Sequence, residues 1–177
     1  IITGPAETAI DRIKLFSYKI KADYYINVQG DEPIVNINDI KSLLNYNLKF
    51  PDRVVFGKTT ANKVEFDDFS KAKVVCDKNG RLLYSSRAGI PLTNKGKFFK
   101  AERAIWLYAF NKNSLNKYFE NSGKTYLDEI EDNEIIRFLE IGIPVYCIDM
   151  IGDSWAVDEK KDIEIVEKKI KDGEKEI

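Results

Sequence analysis

Two aspartates carry most of the chemistry this sequence offers. Asp31 lies in the stretch Tyr24-Tyr25-Ile26-Asn27-Val28-Gln29-Gly30-Asp31-Glu32-Pro33, where a β-branched and aromatic run stops at a polar, acidic cluster punctuated by Gly30 and Pro33. The run reads as a strand buried on both faces. Asp158 follows Ala156-Val157 and precedes a charged helical stretch. Ligands of open α/β sheets bind beyond the carboxyl ends of the strands, and both carboxylates would face that side. Magnesium takes oxygen ligands, is held by one or two carboxylates, and completes its shell with water and substrate phosphate. Asp31 and Asp158 could therefore converge on one ion. Each also has a plainer reading: Asp31 as a turn residue beside Pro33, Asp158 as a helix N-cap. Arg87 adds a planar fork suited to a substrate carboxylate, with a solvated surface arginine as the alternative.

The chain of 177 residues contains no histidine. That excludes a Ser-His-Asp or Cys-His nucleophile pair and a histidine-ligated zinc, leaving carboxylates, Lys, Arg, Tyr or a hard metal ion as agents of catalysis. With 28 basic and 29 acidic residues there is no basic field for duplex nucleic acid, so nucleic acid is not an expected partner. No apolar run approaches the ~18 residues of a membrane span and no signal peptide is found, which suits a cytoplasmic protein with no membrane partner. A hydrophobic content of 44% with 32% charged residues fits one globular domain over residues 1–177. Cys76 and Cys147 sit in apolar runs without metal-ligand spacing and read as buried thiols.

The elements that would position these groups follow from periodicity and punctuation. Apolar spacing predicts a helix from Glu7 to Ile20, and a second one capped by Asn38 or Asp39 and ended before Pro51. Val54–Gly57 is a short strand, followed by a loop over 62–70 with a helical turn. Lys73 to Arg87 is a hairpin, with Asn79-Gly80 as a turn in which both residues tolerate positive φ. A loop over Leu92–Lys100 precedes a strand at Ala104–Phe110 and a helix capped by Asn113-Ser114. Thr125 to Gly142 reads as one helix with Leu127, Ile130, Ile135, Ile136, Phe138 and Leu139 inward. A strand at Val145–Met150 leads to a helix from Glu159 to Lys169, with Ile163, Val166 and Ile170 inward and a solvated tail from Lys168.

Several of these stretches, in order, resemble the CMP-Kdo synthetases (3-deoxy-manno-octulosonate cytidylyltransferases). Asn27-Val28-Gln29-Gly30-Asp31-Glu32-Pro33 is similar to the family's strand-end motif, whose Asp is a magnesium ligand. Val157-Asp158 resembles the start of Val-Asp-Thr-Pro-Glu-Asp-Leu, whose first Asp is the other ligand; Glu159-Lys160 replaces Thr-Pro. Asp11 and Arg12 match the end of Gly-Thr-Asp-Arg, found at a helix start beside the nucleotide, with Ala9 and Ile10 in place of Gly-Thr. A first-turn Asp and a solvated Arg are the alternative there. Ser86-Arg87-Ala88-Gly89-Ile90-Pro91 resembles the end of the family hairpin. Tyr108 matches a sugar-pocket tyrosine in His-Ile-Gly-Ile-Tyr-Ala-Tyr, where this chain has Ala104 for His and Trp106 for Gly. Glu134 matches a sugar-contacting Glu in Ile-Glu-x-Leu-Glu-Gln-Leu-Arg, with Ile135 in place of Gln. A strand aromatic and a solvated helix face are the plainer readings of Tyr108 and Glu134.

The resemblance implies an α/β fold: a mixed, mostly parallel sheet flanked by helices, nucleotide-diphospho-sugar transferase-like, with an inserted antiparallel hairpin. It implies magnesium-dependent cytidylyl transfer from CTP to a 3-deoxy-ulosonic acid, with Asp31 and Asp158 on the metal and Asp11, Arg12, Gln29, Arg87, Tyr108 and Glu134 on the substrates. Ala104 and Ile135 remove two polar sugar contacts, so the sugar is expected to be Kdo-like rather than Kdo. The family also implies a homodimer through the segment after the hairpin, where Phe98 and Phe99 fit. Its opening strand and basic, Gly-containing loop have no counterpart here, so this chain is expected to be a truncated domain with little or no activity. The alternatives are a metal-dependent glycosyltransferase of related fold and a non-catalytic binding domain.

Overall fold

The computed structural model describes residues 1–121, 123–152 and 154–173. Its organising element is the eleven-residue strand β5 (Ala101–Asn111). One edge of β5 is taken by β2 (Val54–Ala61), antiparallel, and β6 (Val145–Asp149) lies beyond β2 as a parallel neighbour. The other edge is divided. β1 (Tyr24–Val28) pairs with Leu107–Asn111, while β3 (Lys73–Cys76) pairs with Glu102 and Arg103 and carries β4 (Leu82–Ser86) outside it.

The sheet is mixed and flanked by helices, but mostly antiparallel where the sequence suggests mostly parallel. The reason lies in β5. β1, β2 and β6 share one direction, as helix-linked strands do. β5 then inserts between β1 and β2 running the other way, and leaves β2 with β6 as the parallel pair among the described strands.

The inserted hairpin is present, with a longer turn than Asn-Gly suggests. The Asp77 carboxylate accepts the N–H groups of Asn79 at 2.8 Å and Arg81 at 3.0 Å, and Gly80, at φ 79°, takes the left-handed conformation that glycine tolerates. β1 alternates in burial instead of being buried on both faces: Tyr25 and Asn27 are buried, Tyr24 and Ile26 half-buried, and Val28, at the strand's end, is exposed.

Among the described residues, six helices and a short turn cover the sheet. α1 (Ala9–Lys19) is capped by Thr8, and α2 (Ile37–Lys49) by Asn36 rather than Asn38 or Asp39. Asp39 is instead buried and accepts the N–H groups of Ile151 at 2.8 Å and Gly152 at 2.9 Å. α3 (Lys63–Asp67) is the single turn, and α4 (Lys112–Glu120) is capped by Asn111 rather than Asn113-Ser114. The stretch from Thr125 to Gly142 is two helices, α5 (Tyr126–Glu131) and α6 (Ile135–Glu140), broken where Asp132 turns to φ 45°. The break swings Ile130 out to solvent and Asn133 inward, where its Nδ2 donates to Ser85 Oγ at 2.9 Å.

α7 (Lys160–Gly173) buries Asp162 and Val166 rather than Ile163 and Ile170. Asp162 accepts Trp155 Nε1 at 2.9 Å and the N–H groups of Asp158 and Glu159 at 3.1 and 2.8 Å, which sets the helix's rotation. Helix also continues through Lys168 to Gly173, where a frayed tail is expected; the last four residues lie outside the described ones.

The core has two sides, as alternation along β5 requires. On one, Phe56, Tyr108, Phe110 and Phe138 form a stack with successive centroids 5.1, 5.6 and 5.5 Å apart, joined by Ile10, Tyr25 and Tyr118. On the other, Leu43 of α2 packs on Val55, Ile105, Leu107 and Ala109. Cys147 is buried as expected, whereas Cys76, the last residue of β3, is half-buried; both are free thiols.

Candidate active site

The divided edge of β5 creates the site. β1 ends opposite Leu107 and β3 begins opposite Arg103, so neither strand covers the backbone between them. Ala72 O accepts the N–H of Ala104 at 2.9 Å, and the buried Glu32 carboxylate accepts that of Trp106. The β2–β5 register also slips between Phe56 and Gly57, which re-aims Trp106. Gly57 is required there, since a Cβ would stand 2.9 Å from Ile105 O and from Met150 Cε.

A cavity of about 280 Å³ opens over this gap, and Gln29, Asp31, Arg87, Tyr108, Glu134 and Asp158 all line it. The strand-end turn and the chain before α7 meet directly: Val157 N–H donates to Asp31 O at 2.9 Å. The 154–158 segment is fastened further by Ser154, whose hydroxyl donates to Glu32 and whose carbonyl accepts Arg103 Nη2 at 3.2 Å. Burial raises the Glu32 pKa, opposed by the Ser154 hydroxyl and the Trp106 N–H.

The two aspartates differ in what satisfies them. Asp31 Oδ1 is buried with no hydrogen-bond partner, while Asp158 Oδ2 lies 3.2 Å from Lys71 Nζ. A buried carboxylate oxygen without a donor is the kind of vacancy a cation fills. No cluster of three or more His, Cys, Asp or Glu side chains able to hold a metal occurs among the described residues. The unpartnered Asp31 Oδ1 is the observation that suits a cation, and an ion held there by one or two carboxylates would have to complete its shell with water and phosphate, as magnesium does.

Arg87 is held as a clamp. Its Nε donates to Glu131 O at 2.9 Å, Nη2 to Asp132 O at 3.0 Å, and Nη1 reaches the carbonyls of Phe69 and Ser70 at 3.4 Å. What it offers the cavity is mainly charge. Glu131 organises this wall, accepting Tyr84 Oη at 3.1 Å, Ser86 Oγ at 2.8 Å and Arg87 N–H at 3.0 Å.

Glu134 joins the wall to α1, its Oε2 accepting Ile10 N–H at 3.1 Å while Oε1 is buried without a partner. Burial raises its pKa, partly offset by that N–H. Tyr108 is fully buried, its hydroxyl 3.5 Å from Gln29 Nε2, and burial holds its pKa well above the ordinary value.

Asp11 and Arg12 stand outside this cavity. Asp11 accepts Thr8 Oγ1 at 2.9 Å within the α1 cap, and Arg12 Nη1 donates to Thr3 Oγ1 at 2.9 Å. Arg12 borders an adjoining recess that shares Gln29 and Asp31. Sequence reasoning passed over Glu131 and Lys71. Glu131 was within reach, lying in the same motif as Glu134; Lys71 shows itself only through its contact with Asp158.

A mixed sheet flanked by helices, with a strand-end aspartate and a second, distant aspartate lining one polar cavity, suits an α/β nucleotidyltransferase scaffold. The chain belongs to the cytidylyltransferase family, which it matches over residues 4–160. It is 31% identical over 176 residues to a 3-deoxy-manno-octulosonate cytidylyltransferase of Chlorobium luteolum, covering 94% of this chain and 70% of that protein. It is 36% identical over 158 residues to one from Chlamydia caviae, covering 85% and 59%. A solved structure of CMP:2-keto-3-deoxy-manno-octonic acid synthetase complexed with CTP superposes with a TM-score of 0.87 at 26% identity, covering 98% of this chain and 72% of that one. The chain thus spans between 59 and 70% of the length of these two relatives.

Proposed function

We propose that this chain carries the acceptor and metal sites of an enzyme that transfers CMP from CTP to a 3-deoxy-ulosonic acid. The observation that carries the reading is that Asp31 and Asp158 line one cavity, their segments joined by the bond from Val157 N–H to Asp31 O. In the reaction, a hydroxyl oxygen of the sugar acid bonds to the α-phosphorus of CTP, the bond to the β-phosphate bridging oxygen breaks, and pyrophosphate leaves. Asp31 and Asp158 would hold a divalent cation, which would supply charge neutralisation on the phosphates. Arg87 adds positive charge toward the sugar carboxylate, and the unpartnered Glu134 Oε1 offers an acceptor to a sugar hydroxyl. Such chemistry needs in-line placement and electrostatics more than a covalent nucleophile, which suits a chain without histidine.

Ala104 and the fully buried Ile135 provide no polar contact, which favours a Kdo-like acid over Kdo itself. With CTP as donor, the reaction belongs in the cytoplasm. The exposed Phe69, Leu92 and Phe99, around a groove lined by Phe66 and Phe98, suit a homodimer contact. Incubation with CTP, magnesium and a panel of ulosonic acids tests the reading, using this chain and a version extended at its N-terminus with the extra segment of its longer relatives. Pyrophosphate and a CMP-sugar are expected in equal amounts from the extended form. Release of a free nucleotide from a CMP-sugar, or no reaction from the extended form, would contradict it.

A further inference from the structure

Lys71, in the loop between α3 and β3, is a buried cation behind the site: it does not line the cavity, but it is paired with Asp158, which does. Its side chain is 7% exposed, and Nζ lies 3.2 Å from Asp158 Oδ2, 3.4 Å from Ala156 O and 4.7 Å from the centroid of the Trp155 ring. Its backbone is fixed as well: Lys71 N–H donates to Asp68 O at 3.2 Å, and Lys71 O accepts the buried Lys73 Nζ at 2.5 Å. The ammonium therefore cannot withdraw by a loop movement without breaking these bonds. Asp31, by contrast, has a buried oxygen with no donor. One carboxylate of the pair is open and the other already has a resident cation.

We propose that Lys71 acts as that resident counter-cation and sets the metal affinity of the site, competing with a divalent ion for Asp158. This rests on reading Asp158 as a metal ligand. An ammonium and a divalent cation repel across a few ångströms in a partly buried cavity, so an ion alone meets a penalty there. An ion arriving with a triphosphate brings negative charge that offsets Lys71. Lys71 thereby makes metal binding conditional on the nucleotide, and discriminates against free cations.

Manganese binding without nucleotide, followed by electron paramagnetic resonance, tests this on the wild type and on Lys71→Met, Lys71→Gln and Lys71→Arg. Circular dichroism checks that each variant is folded. Removing the charge should tighten binding by about tenfold or more, the size of effect one neighbouring charge has on a carboxylate's proton. Lys71→Arg should bind as the wild type does, and adding Asp158→Asn to Lys71→Met should abolish the gain. Unchanged or weaker binding in both uncharged variants overturns the role of Lys71, while weakening by Asp158→Asn in the wild type would still uphold the metal reading. If Asp158→Asn changes manganese binding in no background, the metal reading fails and the proposal with it.

Discussion

Two walls of one cavity treat their acids in opposite ways. In the α5–α6 wall, Asp128 is buried and receives two bonds from Arg137, Nε at 2.9 Å and Nη2 at 2.6 Å, with the guanidinium 4.5 Å from the Tyr118 centroid. In the β1 wall, Asp31 keeps a buried oxygen with no donor. Both acids line the cavity, but one is consumed by the fold and the other is left for something to bind. A buried acid with its hydrogen bonds complete marks architecture, and one with a bond missing marks a ligand position.

Breaking the completed wall should have the largest effect. Arg137→Leu strands the Asp128 carboxylate and is expected to cost about 3–5 kcal/mol of stability in urea unfolding. A change near zero would mean that the pair is not structural. Asp31→Asn should do the reverse, keeping the unfolding midpoint while lowering cytidylyl transfer by the N-terminally extended form on the order of 100- to 1,000-fold, as removal of a key electrostatic group does. Equal loss of stability and activity would erase the contrast between the walls.

The support of the Asp158 segment comes next. A Cβ at Gly152 would stand 2.6 Å from Asn36 Cβ and 2.7 Å from Asp39 Oδ2, so Gly152→Ala should cost about 1–3 kcal/mol. Full stability of that variant would show the segment to be looser than its bonds to Asp39 imply.

The smallest effect concerns Glu134, whose pKa burial raises above its ordinary 4.5. The folded protein binds that proton more tightly than the unfolded chain does. Its contribution to stability is therefore fully present below the unfolded value and lost as pH rises through the folded one. Glu134→Gln should gain stability on the wild type at pH 8 and show no gain at pH 4. A gain confined to pH 4 would refute the sign.

The contrast between the walls was only partly legible in the sequence. Asp31 and Asp158 stood out because each follows a strand-like run and precedes a polar turn or helix, a local pattern. The break at Asp132 did not, because the apolar residues on either side keep helical spacing and nothing local announces the left-handed turn. Strand direction was hidden for a related reason. Helix-linked strands do run parallel, but periodicity cannot show that β5 will insert between two of them. Glu32 with Ser154, Asp39 with Gly152 and Lys71 with Asp158 join residues distant in the chain, and such pairings exist only once the fold brings them together.

The central claim is that Asp31 and Asp158 share one divalent cation. Crystals soaked with CTP and manganese, measured at an anomalous-scattering wavelength, test it directly. The account predicts one peak within about 2.2 Å of an oxygen from each carboxylate, a usual distance for a small hard cation on oxygen ligands. A peak on one aspartate alone, or elsewhere in the cavity, would contradict it.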